Sequence, residues 1–358
     1  MPNLFSPTQL GNLTLQNHIV MAPMTRCRAP GNVPSDLMAT YYGQRSGAGL
    51  VITEGVSPSP NGLGYVNIPG IFSAEQIAAW KPVTAALHAG GAKAFMQLMH
   101  CGRVAHPLNL PAGARMVAPS AVTAKGQMFT IAQGMQDQPA PEAMSEADLA
   151  AAREEFVQAA KNAVAAGFDG VELHSANGYL LEQFIRPNSN VRTDPYGGGI
   201  EGRARFVLEV VDATIAAIGK ERVGIRLSPL GVFNDMPVYE GIEADYLWLA
   251  RQLGQRGLTY LHIVDHSASG APPVPDALKI GLRDAFGGPV ILVGAYTPER
   301  AQADLDSGKA SLIAVGKAFI SNPDLVQRWK TGAALNAFDA NTFYSGGAPG
   351  YTDYPAMA

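Results

Sequence analysis

His174, Asn177 and Tyr179 lie in a single strand-to-loop junction, Val171-Glu172-Leu173-His174-Ser175-Ala176-Asn177-Gly178-Tyr179-Leu180. An imidazole and a carboxamide so close together can donate two hydrogen bonds to one ligand oxygen, and a nearby phenol can supply a proton. Taken singly, each has a structural alternative: His174 could cap a strand end, and Tyr179 could anchor the following helix in the core. Their concentration at one junction favours chemistry.

Such residues need a scaffold that brings distant strand ends together. Eight short apolar runs fit buried parallel strands: 18–24, 49–55, 93–100, 170–176, 223–229, 260–265, 289–295 and 312–318. Helical segments fit 36–46, 73–89, 145–166, 200–219, 243–256, 297–308 and 322–331. Ser73 with Gln76 and Ser145 with Asp148 form capping-box patterns. Thr297-Pro298 and Asn322-Pro323 place a cap before a helix-opening proline, while Gly219 and Gly257 suit left-handed caps. Eight strand–helix units without a Gly-x-Gly-x-x-Gly fingerprint predict an α/β fold, a single (β/α)8 TIM barrel over 1–358. Two segments break the repeat. Gly11-Asn12 suits an N-terminal hairpin under the barrel floor, and residues 101–144 form a long excursion after the third strand. The excursion is expected to cap the strand C-termini, the alternative being a disordered insertion.

In a barrel the strand ends carry the chemistry. Here they read Pro23-Met24-Thr25-Arg26, Thr53-Glu54-Gly55, Gln97-Leu98-Met99-His100, His174 to Tyr179, Arg226-Leu227-Ser228, Gly294-Ala295-Tyr296 and Gly316-Lys317. Glycines after strands seven and eight, with Lys317 beside them, suit a phosphate site, although Gly-Lys alone also fits a plain turn. Arg226 lies within an apolar strand and must meet an anion, a ligand carbonyl or a carboxylate such as Glu172 or Glu54. Gln97 can serve the edge of an amide-like ring. Phosphate, cation and planar ring together describe flavin mononucleotide (FMN).

Composition narrows the partners. The chain has 358 residues, 47% of them hydrophobic, enough for a full core. A net charge of −4, without basic runs, gives no footprint for nucleic acid or an anionic membrane. No apolar stretch reaches the roughly 20 residues of a membrane span, and the N-terminus lacks signal-peptide character, so a cytoplasmic protein is expected. Cys27 and Cys101 are too few for a disulfide framework or an iron–sulfur cluster, which disfavours amine-oxidising flavin barrels. A metal-dependent lyase using Glu54, Glu172 and His174 finds no further histidine at ligand spacing and an opposing cation at Arg226.

Five blocks, in order along the chain, resemble the Old Yellow Enzyme family: Pro23 to Arg26, Gln97 to Arg103, Glu172 to Leu181, Arg192-Thr193-Asp194-Pro195-Tyr196-Gly197-Gly198, and Gly350 to Tyr354. Within it, the chain is similar to the bacterial N-ethylmaleimide and pentaerythritol tetranitrate reductase branch. The resemblance implies an FMN-dependent ene-reductase, with NADPH or NADH as reductant and an activated alkene as small-molecule substrate. A monomer or homodimer is expected. His174 and Asn177 would hold the substrate oxygen and Tyr179 would donate the proton. Pro23, Met24, Thr25, Gly55, Gln97, Arg226, Gly294, Ala295, Gly316 and Lys317 would hold FMN, while Tyr65, Met99 and Tyr351 would join His174 and Asn177 in the substrate pocket. Nitro compounds, nitrate esters or non-catalytic binding of flavin and phenols are alternatives within the same likeness. Three positions depart from that branch: Lys317 where Arg is usual, Asn177 in place of a second His, and Met99 in place of Trp.

Overall fold

A computed structural model describes residues 3–357. Eight parallel strands close a barrel in chain order: Ile19–Met21, Leu50–Val56, Lys93–Leu98, Gly170–Ser175, Val223–Leu227, Tyr260–Val264, Val290–Val293 and Leu312–Val315. Closure comes from pairing of the eighth strand with the first, Ile313 opposite Ile19 and Val315 opposite Met21. All eight predicted strands are present; seven are shorter than predicted, mostly where polar C-terminal residues leave the ladder, while the second keeps its length and runs one residue past its predicted end, Leu50–Val56.

The seven predicted helices form, and both capping boxes close reciprocally, Ser73 with Gln76 and Ser145 with Asp148. Thr297 caps its helix through Arg300 N–H. Asn322 does not cap the last helix, which runs Leu325–Thr331. Its amide is occupied elsewhere, donating to Ala318 O and accepting from Asn336 N–H. Gly257 adopts the expected left-handed conformation (φ 69°), whereas Gly219 (φ 87°, ψ 142°) turns the chain without being a left-handed helical cap. Three helices escaped prediction: Leu180–Ile185, Asp276–Phe286 and Lys317–Ser321. Two of these are single short turns directly after site residues, too brief for helical periodicity to register.

At the N-terminus, Thr8–Leu10 pairs antiparallel with Leu13–Leu15 through the predicted Gly11-Asn12 turn. Leu10 and Leu15 are fully buried in one cluster with the inward residues Val20, Leu50, Ile52, Phe95 and Tyr260, so the hairpin seals the barrel floor. The excursion after strand three is ordered. It carries an antiparallel hairpin, Gln127–Thr130 with Gly134–Asp137, and a two-residue parallel pairing of Val117–Ala118 with Glu142–Ala143.

Candidate active site

Alternation along the strands sorts the interior into layers. Glu172 registers with Gln97, and one pleat higher His174 registers with Arg226, which in turn neighbours His262. Glu172 is wholly buried and accepts from Gln97 Nε2 at 2.8 Å, with His262 Nδ1 also at 2.8 Å. Burial alone would raise its carboxyl, but His262, Arg226 and Gln97 together hold it below the ordinary carboxylate value. Glu172 therefore stays ionised and compensates Arg226 electrostatically. The Arg226 Nε is nevertheless buried without a hydrogen-bond partner. By engaging the Gln97 amide nitrogen, Glu172 also leaves the Gln97 oxygen free to accept from a ligand N–H.

Above this layer opens a cavity of about 640 Å³ whose lining includes Pro23, Thr25, Gln97 and Arg226 together with Tyr65, Met99, His174, Asn177 and Tyr179. A second cavity of about 310 Å³ shares Pro23 and Arg226 with it and is lined by Met24, Gly294, Ala295, Gly316 and Lys317. The structure thus brings the predicted residues into two adjoining spaces, with two exceptions.

Gly55 lines neither cavity. A Cβ there would lie 2.5 Å from Met99 Sδ, so this glycine serves to admit the Met99 side chain against its strand. Tyr351 is fully buried away from the pocket, stacked on Tyr41 at 4.0 Å, with the Arg26 and Arg28 guanidiniums over its ring. The aromatic that the C-terminal segment does contribute is Tyr344. That segment is gripped from the Thr25 loop. Arg26 donates to Phe343 O and Gly350 O at 3.0 and 2.7 Å, and Arg28 to Thr342 O and Pro349 O at 2.8 and 3.1 Å.

The proton-bearing groups have settled states. Tyr179 opens the short helix Leu180–Ile185, and its hydroxyl lies 3.1 Å from that of Tyr65. Burial, reinforced by Tyr65, pushes its phenol well above the usual range, so it carries its proton at neutral pH. Burial and the charge of Arg226 push His174 well below its ordinary value, leaving a neutral imidazole whose Nδ1 is buried without a partner. Its ring meets Tyr179 edge-on at 4.9 Å.

Sequence reasoning missed several contributors. His266, just past strand six, contacts Asn177, and Gln127, Met128, Phe129 and Met135 bring the excursion hairpin to the larger cavity. Cys27 also lines that cavity, but burial pushes its thiol up to about 12, so it is an inert neutral group.

These residues fit FMN. An added Cβ at Gly294 or Gly316 would meet no protein atom closer than 3.5 Å, so packing does not demand glycine there, whereas close approach of a ligand backbone does. Lys317 has no ion-pair partner among the described residues, and the Arg226 Nε is an orphaned donor between the two spaces. A phosphate beside Lys317 and a ring carbonyl beside Arg226 would satisfy both.

The sequence pattern of the NADH:flavin oxidoreductase / NADH oxidase family matches residues 3–336. The chain belongs to that family. As a family member it is an FMN-dependent oxidoreductase, in agreement with the Old Yellow Enzyme resemblance. It is 43% identical to chanoclavine-I aldehyde reductase of Penicillium roqueforti, covering 100% of this chain and 97% of that protein. With a probable flavin mononucleotide-dependent alkene reductase of Leishmania infantum it shares 40% identity, covering 99% and 97%. Among solved structures, morphinone reductase in complex with tetrahydroNAD superposes with a TM-score of 0.95 at 45% identity, covering 100% of this chain and 98% of that one. The Old Yellow Enzyme homologue from Zymomonas mobilis gives 0.94 at 39%, covering 99% and 100%. No described helix of this family member is long and apolar enough to cross a membrane.

Proposed function

We propose that this flavoenzyme reduces the C=C bond of activated alkenes, namely α,β-unsaturated carbonyls, maleimides and nitroalkenes, with NADPH or NADH as reductant. The observation that carries the reading is the shared cavity: His174, Asn177 and Tyr179 face the same space as Thr25, Gln97 and Arg226.

Thr25, Gln97 and Arg226 would hold the flavin ring, and Met24, Gly294, Ala295, Gly316 and Lys317 its phosphate arm. Bound FMN supplies the hydride that the alkene β-carbon receives. His174 and Asn177 donate hydrogen bonds to the carbonyl or nitro oxygen, drawing charge from the double bond and stabilising the enolate that develops. Tyr179 delivers its hydroxyl proton to the α-carbon, and Tyr65, within hydrogen-bond distance, orients that hydroxyl. Hydride and proton together complete the saturation. We assign the hairpin at 127–137 to the roof of the substrate space, with Met128 buried beneath it and the more exposed Phe129 and Met135 at its rim. The probable alkene reductase of Leishmania infantum and the tetrahydroNAD complex of morphinone reductase support the substrate class and the nicotinamide reductant respectively.

Anaerobic titration tests the proposal. Absorbance near about 450 nm should bleach with NADPH or NADH and return on addition of cyclohex-2-enone, with one cyclohexanone formed per flavin reoxidised. A reduced protein that air reoxidises but cyclohexenone, N-ethylmaleimide and nitrostyrene do not would overturn it.

A further inference from the structure

Asn177 is held on every side. Its backbone occupies the left-handed region (φ 59°), its N–H donates to Ser228 Oγ at 2.9 Å, and its carbonyl accepts from Asn234 Nδ2 at 2.7 Å. With the backbone fixed, the remaining freedom is which end of the carboxamide faces the substrate. His266 limits that freedom: its Nε2 lies 2.7 Å from Asn177 Oδ1. His266 comes from beyond the sixth strand and lines the smaller cavity, so it reaches Asn177 from the far side of the substrate space.

We propose that His266 is a positioning residue, donating its Nε2 proton to Asn177 Oδ1 so that the Asn177 amide nitrogen is turned permanently toward the substrate oxygen. The inference rests on the assignment of Asn177 to the oxygen clamp. Burial, followed by the charge of Arg226, lowers His266 to about 4, so near neutral pH it carries a single N–H. The adjacent carboxylate, Asp265, does not compete for that proton, because Lys279 Nζ at 2.8 Å and Ser267 N–H at 3.0 Å already engage it. Phe233 packs edge-to-face on the imidazole, with centroids 4.6 Å apart, and fixes the ring plane. With the proton on His266 Nε2, a flipped Asn177 would set donor against donor. Asn177 therefore acts as a donor only, and the site selects ligands that present an acceptor oxygen there: a carbonyl, a nitro group or a phenolate.

A double-mutant cycle on FMN-loaded protein tests this. 4-Hydroxybenzaldehyde is titrated against the visible flavin spectrum of wild type, His266→Leu and His266→Gln, each also combined with Asn177→Ala, with bound flavin quantified in every sample. His266→Leu, which keeps bulk but no donor, should weaken binding about tenfold. His266→Gln, which restores an N–H at the same reach, should return to within about threefold of wild type. In the Asn177→Ala background the Leu and Gln variants should bind alike. An unchanged dissociation constant in His266→Leu, no recovery in His266→Gln, or a Leu effect that persists without Asn177 would overturn the inference. If Asn177→Ala alone leaves binding unchanged, the clamp assignment fails, and the role of His266 falls with it.

Discussion

Replacing Tyr179 with phenylalanine removes one oxygen atom, and the structure separates its two consequences. The hydroxyl lost is 3.1 Å from that of Tyr65, a neutral pair whose removal costs about 1 kcal/mol of stability. The ring remains, still buried among Leu63, Ile68, Met99, Cys101 and Met128, so the variant folds and binds flavin. The kinetic loss is of another order. Removing a positioned proton donor slows the dependent step roughly 10²–10⁴-fold, or about 3–5 kcal/mol of barrier. Stopped-flow spectroscopy reads the two half-reactions separately. Bleaching of the flavin by NADPH should stay within about twofold of wild type, since no proton from Tyr179 is needed there. Reoxidation by cyclohexenone should slow by at least about a hundredfold. Because burial holds the phenol well above its ordinary value, wild-type reoxidation should show no loss of the tyrosine proton across neutral pH. Equal slowing of both half-reactions would mean that the variant disturbs the flavin environment, and unchanged reoxidation would remove Tyr179 from the chemistry.

Glu54 supplies a pH prediction. Burial pushes its carboxyl up to about 7 from 4.5, so between those values the folded state binds more protons than the unfolded state and stability falls as pH rises. About 3 kcal/mol should be lost as pH rises from 4.5 through 7. Urea melts at pH 5 and pH 8 should show that loss in wild type and not in Glu54→Gln; parallel losses would refute it. Lys317→Met should raise the FMN dissociation constant at least about tenfold by ultrafiltration, with Lys317→Arg near wild type, and an unchanged constant would place the phosphate elsewhere. Met99→Trp has no room on its wall side, where Gly55 backbone already meets Met99, so the indole should enter the cavity. Turnover of β-substituted enones relative to cyclohexenone should drop about tenfold or more; an unchanged ranking would show that this wall does not limit substrate size.

Barrel, floor hairpin and most of the site could be read from sequence because each strand announces itself as an apolar run with a polar end. Arg226 and Gln97 were conspicuous as polar residues where an apolar strand should continue, and both line the cavity. His266 had no comparable signal: nothing in its spacing ties it to a residue 89 positions earlier, and only the pairing of strands four and six with strand five between them brings the two within reach. Tyr351 misled for the opposite reason. The family resemblance implies a place for it in the pocket wall, but Arg26, Arg28 and Arg45 surround it with Tyr41, and the pocket receives Tyr344 instead. Gly55 sits at the correct strand end, yet the need it meets is the bulk of Met99, which requires coordinates to see.

The grip of Arg26 and Arg28 ties the loop after the first strand to a segment made after the whole barrel. All eight strands have been made once residue 315 leaves the ribosome, yet these two buried guanidiniums, which flank Cys27 and adjoin Thr25, find every carbonyl acceptor except Arg26 O at residues 342–350. A chain cut before residue 342 would hold every barrel strand and still lack those acceptors, leaving the segment after Thr25 with its contacts to Glu54, Tyr41 and Asn67 and several buried guanidinium donors unmet. The loop that carries Thr25 is thus held by backbone lying 317 positions further along the chain, so the flavin pocket depends on a segment that belongs to no barrel strand.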